Sequence, residues 1–451
     1  MVLALVPFGA SVGLAGAAPP VRVSGDSPFR DCATAASYVN AEVEPSLAAD
    51  PRHPQRLVAV YQQDRYHGGG ARGIVAAVST NGGRAWRRGP LQVTSCAGPA
   101  ARQSPFASDP WVSVGPDGRI YAAALSDVVT VVTSANWGMS WSPPAIVDPH
   151  TIPDKESVTA DPLHAGTAYV VWSDYYRTNP PATESDELLS VTHDGGKTWS
   201  AAKLVLGRGS RAGPEDGQIL VDPRNGRLYL FTAWVRDGVA TAAEPAWMLI
   251  QRSTDGGVQW SKARRFATGS PARRHPGPVI RSSPQVPSFA IDGRGVLYAV
   301  WQDARFTDGR VEQLAFTSSH DGGLHWIGPR RVGQSSTAGS IIPTVAAQGR
   351  GLVAVLYLQL QGRSTTPTGR YRVATSRNGG KSFDDRVVSR TFTLTDAPLL
   401  TAGPLVPGGY FLGDYMGATP IGGGSFGTLS VVAASDDANK TDVFYAPAGT
   451  R

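Results

Sequence analysis

Six short segments of this chain repeat one pattern, and that repetition limits its fold more than any other feature. They are Ser79-Thr-Asn81-Gly-Gly83-Arg-Ala-Trp86, Ser134-Ala-Asn136-Trp-Gly138-Met-Ser-Trp141, Thr192-His-Asp194-Gly-Gly196-Lys-Thr-Trp199, Ser253-Thr-Asp255-Gly-Gly257-Val-Gln-Trp260, Ser319-His-Asp321-Gly-Gly323-Leu-His-Trp326 and Ser376-Arg-Asn378-Gly-Gly380-Lys-Ser-Phe383. Their last aromatics stand 55, 58, 61, 66 and 57 residues apart. Each reads as the turn of a β-hairpin. The Asp or Asn side chain accepts from turn N–H groups, glycine takes φ > 0, and the ring packs beneath the hairpin. Near-constant spacing over six copies identifies a repeat architecture. Gly 52 and Pro 35 among 451 residues agree with a backbone that turns often.

A second repeat precedes each of these turns. Alternating apolar runs cross a turn over 44–61, and the layout recurs at 109–125, 156–172, 216–234, 287–301 and 343–357. With the strands entering and leaving the hairpin turn, each unit holds four strands. No stretch carries a sustained helical period with caps. Four-stranded units repeated radially make a β-propeller, so the fold class is all-β. After the sixth turn, 414–420, 428–434 and 442–445 read as three strands of one more unit. Its fourth is expected at the other end, at 20–24, which reads like the outgoing strand 329–333. Closure by the N-terminal strand leaves no free sheet edge and predicts seven blades, with six as the alternative.

The repeated turns resemble the Asp box of the sialidase and BNR-repeat β-propellers, directly over residues 79–383. The resemblance implies that the boxes lie opposite the active site, so that Asn81, Asn136, Asp194, Asp255, Asp321 and Asn378 are structural. The chemistry agrees, because backbone donors consume their side-chain oxygens. The resemblance further implies an exo-glycosidase with a tyrosine nucleophile paired with Glu, an Asp acid/base and three arginines for a sugar carboxylate. Tyr415 fits the position of the family's tyrosine. Where the family carries its first arginine, this chain has Glu44-Pro45-Ser46, and Phe29-Arg30-Asp31 resembles that motif in the wrong strand. No first strand opens on an arginine. Seven blades would also depart from the six of catalytic sialidases.

Strand alternation puts the boxes and the Asp-Pro turns on one face. The starts of the first strands and the ends of the second strands lie on the other. Acids recur at both places: Glu44, Asp109, Glu156, Asp216 and Asp414 at the starts, and Asp64, Asp127, Asp174, Asp237, Asp303 and Asp436 past the ends. First strands line the channel of a propeller, so the first set is expected to ring its mouth. Arg65, Arg177, Arg236 and Arg305 stand nearest. Guanidiniums among carboxylates suit a polar, anionic ligand. The plainer alternative is that strand-end acids cap backbone N–H groups and pair with adjacent arginines.

Two functions follow. One is an exo-glycosidase acting on an anionic or complex glycan through Tyr415, Glu44, Asp64 and Asp303, with Arg30, Arg65, Arg305, Arg177, Asp414, Asp216 and Asp109 binding substrate. The other is a non-catalytic propeller that binds glycan or protein on the same face. A cation held by the acidic ring is a third idea. No cofactor motif and no metal-ligand spacing such as C-x-x-C occurs. The pairs Arg87-Arg88, Arg264-Arg265 and Arg330-Arg331 fall on outermost strands, where charge blunts edge pairing. Net charge +6 without a basic cluster argues against nucleic acid.

Residues 2–14 are apolar or small, and Ala15-Gly16-Ala17 has the form of a cleavage site. Residues 1–17 therefore read as a secretory signal peptide ahead of a single domain over 18–451, although no Lys or Arg precedes the apolar run. No later run approaches 18 apolar residues, so a secreted monomer without a membrane span is expected. An exported chain with two cysteines, Cys32 and Cys96, is expected to pair them. Ring closure puts both in loops of adjacent blades on one face, within bonding reach.

Overall fold

The computed structural model describes residues 19–29, 32, 37–98, 104–150, 152–175, 184–209, 211–237, 240–241, 243–272, 280–282, 286–333, 339–362, 366–401 and 408–449. The segment 1–17, Arg30 and Arg177 lie outside them.

Strands dominate, and they assemble in groups of four. In the first group Ser37–Ala49, Leu57–Tyr66, Ala71–Ser79 and Arg87–Pro90 pair antiparallel in that order. Every residue of Leu57–Tyr66 is buried. A second strand has neighbouring groups against both its faces, which explains its continuous apolar run. The outermost strand, Arg87–Pro90, is largely exposed and carries Arg87 and Arg88. Five further groups repeat this order, beginning at Ser108–Val114, Pro153–Ala160, Ala212–Val221, Ser288–Ile291 and Ser340–Gln348. In the last group Ala418–Pro420, Ser425–Ala433 and Thr441–Gly449 are completed by Val21–Arg22, with Val21 opposite Tyr445. A single pairing, Ala41 opposite Thr441, joins this group to the first. The first strands of these seven groups touch in succession and return to Ser37–Ala49, closing a ring. Outside the groups lies a small sheet in which Ile280–Arg281 runs parallel to Gly409–Phe411.

The boxes are structural. Asp194 Oδ1 accepts from the N–H groups of Lys197 and Thr198, both at 3.0 Å, and Oδ2 accepts from Thr198 Oγ1 at 2.6 Å. These bonds hold its carboxyl below the usual range, led by the Thr198 hydroxyl. Asp255 and Asp321 are lowered for the same reason, chiefly by the N–H groups of Gln259 and His325. Asn81, Asn136 and Asn378 accept from backbone N–H groups in the same way, at 2.9–3.0 Å. Residues of the 51–56 turn and of the first box line one cavity, so both kinds of turn share a face. Cys32 and Cys96 form a disulfide with Cα atoms 5.4 Å apart.

One irregularity recurs on the inner strands. In five first strands two residues face one residue of the second strand. The slips lie between Val43 and Ser46, Ser108 and Trp111, Asp154 and Ser157, Glu215 and Gln218, and Ile341 and Thr344. Each is a β-bulge, which re-aims a side chain. The first residue of each has positive φ: Glu44 53°, Asp109 48°, Lys155 52°, Asp216 58° and Ile342 53°.

Candidate active site

Four of the five bulge residues are ionisable, and three of them meet. Lys155 Nζ lies 3.0 Å from Asp109 Oδ1, 2.7 Å from Asp414 Oδ2 and 4.0 Å from Glu44 Oε1. The Asp414 N–H donates to Glu44 Oε1 at 3.1 Å. Arg281 Nη2 stands 3.3 Å from Asp414 Oδ2. Arg65 donates to Gln62, whose amide donates to Glu44. The guanidiniums of Arg65 and Arg281 both lie over the Phe411 ring, 4.6 and 4.4 Å from its centroid, a cation–π arrangement. With Asp154, Glu156 and Asp216 also acting on Lys155, six carboxyls face these three cations.

The excess of acids sets the electrostatics. Burial, reinforced by Asp109, pushes the Glu44 carboxyl up to about 7. Burial raises Asp154 to about 6 and lifts Asp216 and Glu156 well above the carboxylate range. For Lys155, burial favours the neutral amine, but Asp109, Asp414 and Glu44 together outweigh it and hold the ammonium. Tyr415 keeps its proton because burial and then the Glu44 carboxylate disfavour the phenolate. Its hydroxyl donates to the Pro110 carbonyl at 3.0 Å, and its ring stands 5.3 Å from that of Trp111. A cavity of about 20 Å³ between Tyr415, Trp111, Lys155, Glu156 and Asp216 has room for one water. Both carboxylate oxygens of Glu156 and Oδ2 of Asp216 lack a hydrogen-bond partner among the described residues.

Behind this centre, the Tyr175 hydroxyl donates to Glu215 Oε1 at 2.5 Å. Glu187 lies beside it, in space that exists because residue 217 is glycine. A Cβ at Gly217 would stand 1.8 Å from Glu187 Oε1. Burial raises both Glu187 and Glu215 to about 8.

Of the expected site residues, Glu44, Asp109, Asp414, Arg65 and Tyr415 gather here, and Asp216 lines the same small cavity. Asp64 and Asp303 do not join them. Asp64 accepts from Ser27 Oγ at 2.6 Å and the Asn40 N–H at 2.8 Å, which pins the N-terminal segment. Asp303 accepts from Trp301 Nε1 and the Arg305 N–H, both at 2.8 Å, and pairs with Arg305 Nη2 at 2.7 Å. Both carboxylates are spent on capping, as the plainer reading held, and Arg305 is spent with Asp303. Arg236 pairs with Glu244 at 3.4 Å. Glu156 also needs correction as the ring residue of its strand. Lys155 occupies the bulge, two residues before Ser157 as Glu44 is two before Ser46. That offset was the available signal for Lys155. Arg281 had none, since it comes from the long connection between the fourth and fifth groups. Among the described residues no three His, Cys, Asp or Glu side chains group as metal ligands. An ammonium, Lys155, sits where the acidic ring had suggested a cation.

Residues 185–403 match the model of the BNR repeat-like domain. No curated protein matches this chain. Among solved structures, the Hadza microbial sialidase Hz136 is 15% identical with a TM-score of 0.45, over 91% of this chain and 66% of that one. The NanB sialidase from Streptococcus pneumoniae is 14% identical, TM-score 0.46, over 96% and 71%. The GH93 α-L-arabinofuranosidase of Fusarium graminearum is 13% identical, TM-score 0.46, over 76% and 93%. The chain spans slightly less than two thirds of the Hadza sialidase.

Proposed function

We propose, for a chain whose residues 185–403 match the model of the BNR repeat-like domain, that the protein is a secreted glycoside hydrolase working at the channel centre opposite the boxes. The carrying observation is Glu44, a buried carboxyl raised to about 7 beside Tyr415 and the Lys155-paired Asp109 and Asp414. A carboxylic acid that keeps its proton near neutrality is what glycosidic bond cleavage needs as its general acid. In the proposed reaction Glu44 protonates the leaving oxygen as the C–O bond breaks. The Tyr415 oxygen bonds to the anomeric carbon, and its proton passes to the Lys155-paired Asp109, which lines the same cavity. Water then displaces Tyr415: the water hydroxyl bonds to the anomeric carbon, the water proton goes to Glu44, and the Tyr415 oxygen takes its own proton back from Asp109.

Lys155 and Arg281 at the centre are already opposed by Asp414 and Asp109. The site therefore favours a neutral unit of a complex glycan over an acidic one. The Cys32–Cys96 disulfide favours an oxidising, extracellular setting. The test is a panel of fluorogenic glycosides spanning α-sialosides, α-L-arabinofuranosides and neutral hexosides. Turnover of a neutral member is expected, and silence across the panel and on natural glycans would overturn the reading. A second reading, a propeller that binds glycan without cleaving it, is favoured by one observation: the central cavity of about 20 Å³ is too small for a sugar ring.

A further inference from the structure

The second box breaks the pattern of the other five at one residue. Gly82, Gly195, Gly256, Gly322 and Gly379 follow the Asp or Asn with φ between 70° and 80°. In the second box that position is Trp137, with φ 56°. Glycine adopts this region freely, whereas a bulky side chain there is an outlier, and such outliers gather at functional sites. Trp137 ties the box to its neighbour. Its indole N–H donates to the Ser79 carbonyl at 3.3 Å, and its own carbonyl accepts from Arg87 Nη2 at 3.3 Å. Trp137, largely buried, is among the residues that line a cavity of about 740 Å³ between the first and second boxes.

The rest of that lining has a definite chemistry. Trp86 is half-buried, and its N–H is spent on the Gly83 carbonyl at 3.0 Å, so what it offers the cavity is ring surface. Arg52, His53, Arg56 and Arg87 surround it, all exposed, and the lining carboxylate Asp117 stands 3.8 Å from Arg119 Nε. The Arg52 guanidinium has no partner among the described residues, and Arg56 stands 3.6 Å from the buried Asp50. Guanidiniums take carboxylates and sulfates in bidentate fashion. Indole surface takes the apolar C–H face of a sugar ring, much as it packs other apolar groups. The volume lies within the range of small-ligand sites.

We propose that this groove is a binding site for an acidic saccharide, carrying carboxylate or sulfate. It lies on the box face, away from Glu44 and Tyr415, and its test is independent of any hydrolysis. The test is titration calorimetry on the full chain with a galacturonate trisaccharide, a heparin-derived sulfated disaccharide and, as the neutral control, maltotriose. At least one acidic probe is expected to bind at least tenfold more tightly than maltotriose and to weaken with salt; which one does identifies the acidic group. The double variant Arg52→Ala/Arg87→Ala is expected to lower that affinity at least tenfold, while Glu44→Gln leaves it unchanged. Trp137→Gly, which restores the residue of the other boxes, is expected to fold and to bind more weakly. Equal binding of acidic and neutral probes, or undiminished affinity in the arginine double variant or in a folded Trp137→Gly, would overturn the proposal.

Discussion

Lys155 Nζ, on the third group of strands, stands 2.7 Å from Asp414 Oδ2, which precedes the first strand of the seventh. The contact joins two parts of the ring 259 residues apart in sequence. With Asp109 and Glu44 it makes a charged centre that belongs to no single group, so its integrity depends on closure of the ring.

Removing the ammonium should therefore unsettle the whole ring. Lys155→Met leaves Asp109 and Asp414 buried without their shared cation. Breaking a buried pair from one side typically costs about 3–5 kcal/mol. Urea unfolding should show a loss of that order, and adding Asp414→Asn should recover part of it. A loss below about 1 kcal/mol would mean that the pair is in effect solvated.

Stability should also depend on pH through Glu187 and Glu215. Both stand at about 8 in the fold, raised by burial, against about 4.3 for an unfolded glutamate. Between those values the folded chain binds more protons than the unfolded one. Their stabilisation is complete below the unfolded value and is lost as pH rises to about 8, with Glu44 adding to the fall up to about 7. The melting temperature should drop from pH 5 to pH 8. Glu187→Gln, which cannot ionise, should flatten the drop and exceed the parent at pH 8. A level or rising curve would contradict the burial of these acids.

Two adjacent box glycines should respond differently. A Cβ at Gly82 meets nothing within 4 Å, so Gly82→Ala suffers only its φ of 74°, roughly 1–2 kcal/mol. At Gly83 the Cβ would stand 2.2 Å from the Tyr445 ring, and overpacking adds about 1–3 kcal/mol more. Equal melting temperatures for the two variants would show that the first box does not pack on the closing group.

The disulfide closes a separation of 64 residues, for which the chain-entropy model gives about 4 kcal/mol. Cys32→Ser with Cys96→Ser should lower the urea midpoint accordingly and abolish its dependence on reductant. An unchanged midpoint would mean that the linkage adds no net stability.

How far the sequence spoke depended on what each signal encodes. The boxes were legible because their bonds are local: Asp194 and its donors lie within four residues. Ring closure was legible because 20–24 reads like the outgoing strand 329–333. Central chemistry was harder. Glu44 and Asp303 look alike as acids near strand ends, yet one joins the ring through a bulge and the other caps a turn. Only the register separates them. Lys155 hid beside Glu156 because a bulge shifts the expected alternation by one residue. Arg281 reaches the centre through the small sheet it forms with Phe411, a long-range pairing that no local pattern announces.

The most direct measurement is the rate of sugar release from a turned-over glycoside by the parent protein, Glu44→Gln and Tyr415→Phe, with folding checked by circular dichroism. The proposal predicts turnover by the parent and a loss of at least about 100-fold in both folded variants, as expected when a general acid or a nucleophile is removed. Undiminished turnover in Glu44→Gln would contradict it.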